Sequence, residues 1–117
     1  KNRMKEDDLL YIGHILDAIE KIESYLEDTN AEVFVKTDLL IDATVRELAV
    51  IGEAANHFSE EFEREHPEIP FRDIIGMRNL LIHDYTGVDA TYLWETYKED
   101  LPELKKILFP FRPEQSL

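Results

Sequence analysis

The chain has 117 residues, 44% apolar and 33% charged, which fits one compact domain with a real core and excludes a disordered chain. It has no cysteine, so neither a disulfide framework nor a thiolate metal site can form. Its 26 acidic and 13 basic residues leave a net charge of −13, a field that repels nucleic acid at long range, so any RNA or DNA contact has to be local. No apolar run is long enough to span a bilayer, and the charged opening KNRMKEDDLL does not resemble a signal peptide; the expectation is a soluble, cytoplasmic protein with no membrane partner.

The first helix is marked by Leu9, Ile12, Leu16, Ile19, Ile22 and Leu26, which fall on one face of a 3.6-residue period. Asp17 and Lys21 are spaced to pair across one turn of its outer face. EDTNAEVF breaks the pattern, and Thr29 with Glu32 predicts a capping box opening a short second helix. A long helix is predicted from about Asp38, as N-cap, to about Phe58. It carries one stripe of Ile41, Val45, Leu48, Ile51, Ala55 and Phe58 and a second of Leu39, Ala43, Arg46, Val50, Glu53 and His57. Two such stripes predict a central helix with neighbours on both sides, and polar groups buried in the second. SEEFEREHPEIP is expected to prolong this helix by a turn or two before Pro67 stops it.

A further helix is predicted from about Phe71 to about Tyr85, with Gly87 as its left-handed C′ residue. Asp89 then caps a restart, with Val88 and Leu93 as a hydrophobic staple, and Pro102 marks a kink or a new first turn. Pro110 and Pro113 end the fold. Period-two alternation, hairpin signals and internal repeats are absent. The expected architecture is a single all-α domain over residues 1–117, an up-and-down bundle of four long helices plus a shorter fifth.

Polar residues interrupt GMRNLLIHDYTG, residues 76–87. Arg78 occupies an apolar slot of the stripe Phe71, Ile74, Ile75, Arg78, Leu81, Ile82 and Tyr85. A guanidinium there needs a carboxylate, a phosphate or a wet cleft. Asn79 and His83 share the adjacent face, and a histidine in the last helical turn is favoured as imidazolium by the dipole. Each residue has a structural reading: Arg78 as half of an ion pair with Glu53, His83 as a cap. Arg46, Glu53 and His57 add polarity on the neighbouring helix, in supporting or structural roles.

The spacings of helical metalloproteases and diiron bundles are absent, as is a Gly-rich phosphate loop. What remains is an arginine, a histidine and amide or hydroxyl groups. That set suits phosphodiester cleavage, with histidine moving a proton and arginine gripping the phosphate. On an ideal helix Arg78 and His83 diverge by about 140° and lie about 7.5 Å apart along the axis, so one regular helix does not aim both at one atom unless its end distorts; a two-fold dimer packing this helix against its copy could bring the two sets into one cleft.

The run Arg78-Asn79-Leu80-Leu81-Ile82-His83-Asp84-Tyr85 resembles the signature of the HepT family of HEPN-domain toxins. IGEAANHFS, IPFRDIIGMRNLLIHDY and VDATYLW are similar to that family in order and spacing, from about Asp38 to about Leu104, although Phe71 stands where many relatives would carry tryptophan. The resemblance implies a HEPN-like bundle that dimerises with its motifs facing across a cleft. It implies a metal-independent endoribonuclease, the toxin of a type VII toxin–antitoxin pair, with no cofactor of its own. Arg78 and His83 would be catalytic, with Asn79 supporting them. The partner would be an MntA-type nucleotidyltransferase antitoxin that uses ATP and Mg²⁺ to place AMP on Tyr85. A second possibility uses the same residues: a non-catalytic helical module that holds a nucleotidyltransferase and its nucleotide.

Overall fold

The computed structural model describes residues 6–83 and 89–112, with the side chains of all of these except Ile82 and His83. Among them there is no strand. Helix α1 spans Glu6–Leu26, α2 Ala31–Phe34, α3 Asp38–Ala55, α4 Glu60–Glu65 and α5 Phe71–His83. The last rod runs through α6, Ala90–Glu95, a wide π turn, Thr96–Asp100, and α7, Leu101–Leu108, and closes with a 3₁₀ turn at Phe109–Phe111. The all-α bundle of four long rods is therefore what the chain forms, with two short helices, α2 and α4, where one was expected.

The core follows the apolar periodicity. Ile12, Leu16, Ile19, Ile22 and Leu26 of α1 are buried against Leu48, Ile51 and Ala55 of α3. Side chains of this kind each contribute about 1.5–3 kcal/mol when fully buried. On its other flank α3 packs against α5, so it is central as predicted. Its second stripe is not buried, however. Leu39 is 78% exposed, and Arg46, Glu53 and His57 are exposed as well. Helices α1 and α5 cover most of α3, with lesser contacts from α2 and α6, and leave Leu39, Arg46 and Glu53 to solvent.

Helix boundaries differ from expectation where short polar side chains compete. Asn30, not Thr29, caps α2, accepting a 2.9 Å bond from the Val33 N–H. Thr37 is the N-cap of α3, and Asp38 is its first residue. The acidic segment does not prolong α3. Ser59 starts α4 by accepting the Phe62 N–H at 3.1 Å. Asp8 of α1 holds the junction, accepting from the Ser59 N–H at 2.9 Å and its hydroxyl at 2.8 Å. Asp17 pairs with Arg112 at 2.8 Å rather than with Lys21. Asp89 caps α6 as predicted, through the Thr91 N–H at 2.9 Å. Pro102 lies in the first turn of α7, where a missing N–H is tolerated, directly after the π turn. Gly87 and Val88 lie outside the described residues.

Candidate functional site

Arg78 is positioned by a glycine. A Cβ placed on Gly52 of α3 would lie 2.8 Å from Arg78 Cγ and 3.1 Å from Cδ, and nearer still to Cβ. Gly52 thus lets α5 approach α3 at this level, and the arginine stem crosses the α3 backbone. That stem fills an apolar slot, as an arginine can, while its head reaches the surface. Nη2 meets Glu53 Oε1 at 2.8 Å, and Nη1 donates to Asn79 Oδ1 at 3.3 Å.

Glu53 also serves a second partner. Its Oε2 lies 2.8 Å from His57 Nε2, in the turn just after α3, which ends at Ala55 rather than at Phe58. This hydrogen bond, and then the charge of Arg78, hold the Glu53 carboxyl below its ordinary range. An ionised carboxylate only accepts, so His57 Nε2 carries the proton in this bond. Tyr11 of α1 stacks on the same imidazole, with centroids 5.1 Å apart and planes at 16°. His14 meets the Tyr11 ring edge-on at 5.5 Å. Together these side chains line an open groove of about 430 Å³ across α1, α3 and α5, floored by Ala49, Val50 and Ala54.

The structure brings Arg78, Asn79 and Glu53 together. Arg46 stands apart, 75% exposed, with its Nε 3.9 Å from the buried Glu47 carboxylate. His83 is the last residue of α5, but its side chain is not among those described, and Tyr85 lies outside the described residues. Tyr11 and His14 were not singled out from the sequence. Their only signal was a tyrosine and a histidine three apart at the edge of an otherwise regular helix. His57 was legible through its i,i+4 spacing from Glu53. Among the described residues no three histidine or carboxylate side chains converge to hold a metal ion, and no helix is long and apolar enough to cross a membrane.

The model of a family described as ribonuclease HepT-like matches residues 15–109. A Methanocaldococcus jannaschii protein, named as a gamma-glutamylcyclotransferase and candidate RNase, is 37% identical over 95% of this chain; the match spans 50% of that protein. A Thermococcus cleftensis protein named "Probable ribonuclease HepT" is 43% identical over 87% of this chain and 93% of its own length. A protein from Caldanaerobacter subterraneus subsp. tengcongensis, named as a candidate RNase, is 41% identical over 82% of this chain and 86% of its own. No solved structure matches the chain.

Proposed function

The chain belongs to the ribonuclease HepT-like family, and from that premise we propose that it is a metal-independent endoribonuclease, active as a homodimer, and the toxin of a toxin–antitoxin pair. The observation that carries this reading is the state of Arg78. Its guanidinium is held at an open groove by one carboxylate oxygen and one amide oxygen. A guanidinium has five N–H donors, so capacity remains for a phosphate. RNA supplies its own nucleophile, the 2′-hydroxyl. In the proposed reaction a histidine removes that proton, the 2′-oxygen attacks the adjacent phosphorus, and the 5′-oxygen leaves with a proton from a second group. Arg78 stabilises the charge that gathers on the phosphoryl oxygens. Two copies of His83, one from each protomer, would supply both the base and the acid. The exposure of Leu80 on α5, 52%, suits a second copy on this face.

Control is proposed to act through Tyr85. An MntA-type nucleotidyltransferase, using ATP and Mg²⁺, would transfer AMP to its phenol. The added phosphodiester would compete with RNA for Arg78, seven residues and two turns away. Tyr85→Phe is then expected to keep ribonuclease activity and gain no AMP mass.

The net charge of −13 favours a second reading, a non-catalytic partner for a nucleotidyltransferase, because it opposes RNA capture. Incubation with total RNA in EDTA, beside a His83→Ala control, separates the two. Cleavage by the native chain alone supports the nuclease; intact RNA in both samples, across salt and pH, sinks it.

A further inference from the structure

The groove beside Arg78 holds more than a phosphate grip needs. We propose that it is a nucleotide subsite: one unpaired base of the RNA stacks on the imidazole of His57 while its phosphate lies toward Arg78. This inference rests on the ribonuclease reading above and assigns the groove a specific occupant, a single-stranded nucleotide.

His57 is built as a platform. Its side chain is 45% exposed, yet it is fixed at two points. Tyr11 stacks against one side of the ring, and Glu53 Oε2 accepts a hydrogen bond from its Nε2–H at 2.8 Å. Tyr11 is itself braced by edge contacts with His14 and Phe58, at 5.5 and 6.3 Å. A flat ring that has already lost its rotational freedom costs less to stack on than a free one. Stacking on such rings is how proteins hold unpaired bases with little regard to sequence.

The groove's other properties suit the same occupant. Ala49, Val50 and Ala54 give it a small apolar floor, and its volume of about 430 Å³ falls in the ~300–1,000 Å³ range of small-ligand sites. One carboxylate joins its two ends, with Oε1 on Arg78 and Oε2 on His57. The phosphate grip and the base platform are therefore joined through one side chain. Glu53 is a positioning residue in this scheme. In a chain of net charge −13, a contact that depends on stacking gives RNA local affinity that long-range attraction does not supply.

The test uses the full chain and ligands that cannot be cleaved. UMP, AMP, ribose 5-phosphate and a 2′-O-methyl tetranucleotide are titrated while the ring protons of His57 and Tyr11 are followed by NMR. The nucleotides and the oligomer are expected to shift these rings, and ribose 5-phosphate to leave them in place. His57→Phe should retain base-dependent binding. His57→Ala should weaken the oligomer by about fivefold or more, and raise KM for RNA with kcat within about twofold. Circular dichroism confirms that both variants fold. Equal ring shifts from ribose 5-phosphate, or unchanged oligomer binding by His57→Ala, would overturn the proposal. So would dissociation of a dimer by His57→Ala, because a second copy would then be the occupant. The two readings fail separately: RNA cleavage without base-dependent shifts removes only the subsite, and base-dependent binding without cleavage removes only the nuclease.

Discussion

Arg78 and Arg112 are almost equally exposed, at 23% and 22% of the side chain, yet their surroundings differ. Arg112 grips Glu20 through two nitrogens, at 2.6 and 2.9 Å, and reaches Asp17 at 2.8 Å. These bonds, Glu20 foremost, push its pKa up, and they tie the end of the chain to the middle of α1. Arg78 meets one oxygen of one carboxylate, and that carboxylate is shared with His57. One guanidinium sits in a bidentate clamp with a second acid in reserve. The other is oriented but only partly engaged among the described residues. Burial does not separate the two arginines; how many carboxylate oxygens each one meets does.

The largest expected effect breaks this comparison on activity. Arg78→Ala should lower RNA cleavage by roughly 100-fold or more, the scale of losing one electrostatic stabiliser of a transition state. Arg112→Ala should leave cleavage within about twofold and instead lower stability by about 1 kcal/mol, since its partners remain partly solvated. Thermal melts and RNA gels on the same preparations read both axes. An Arg112 variant that folds normally but fails to cleave would erase the distinction.

Next in size is the support beneath Arg78. Gly52→Ala puts a methyl group against the Arg78 stem near its backbone, where it cannot be displaced cheaply. Overpacking of this kind costs about 1–3 kcal/mol, and the shifted guanidinium should reduce cleavage as well. Gly13 and Gly76 provide the control, because a Cβ at either meets nothing within 4 Å. Alanine at those two helical positions should be neutral or stabilising by up to about 1 kcal/mol. If Gly52→Ala melts with the controls, the close approach of α3 and α5 is not what seats Arg78.

The fold was legible because apolar spacing carries it. Ile12, Leu16, Ile19 and Ile22 recur at steps of three or four, and each is fully buried. Helix ends were less legible, because Asn30 and Thr29, or Thr37 and Asp38, offer the backbone nearly equivalent caps one residue apart. At the site, the pairing of Arg78 with Glu53 could be anticipated from two polar residues in apolar stripes. Tyr11 and His14 could not, since which face of α1 meets His57 is a matter of packing between segments distant in sequence. The exposure of the second α3 stripe was missed for a related reason. Leu39 reads as core by composition, but whether a neighbour covers it is not written in the helix itself.

The smallest effect, and the sharpest, concerns the two carboxylates that face these arginines. Glu20 and Glu53 both ionise below their ordinary range, but for different first causes: the hydrogen bond from Arg112 for Glu20, and the hydrogen bond from His57 for Glu53. A depressed carboxyl pKa contributes stability that is fully present above the unfolded value, near 4.5, and is lost as pH falls through the lower folded value. Both groups should therefore keep their charge through neutral pH and release their partners only in acid. Side-chain carboxyl titration by NMR can follow each one. Arg112→Ala removes the leading cause at Glu20, so that group should return most of the way to ordinary behaviour. Arg78→Ala removes only the second cause at Glu53, where His57 remains, so that shift should persist in large part. His57→Ala should release more of it than Arg78→Ala does. If instead Arg78→Ala restores Glu53 fully, the arginine is clamped as firmly as Arg112 is, and the contrast between them is not there.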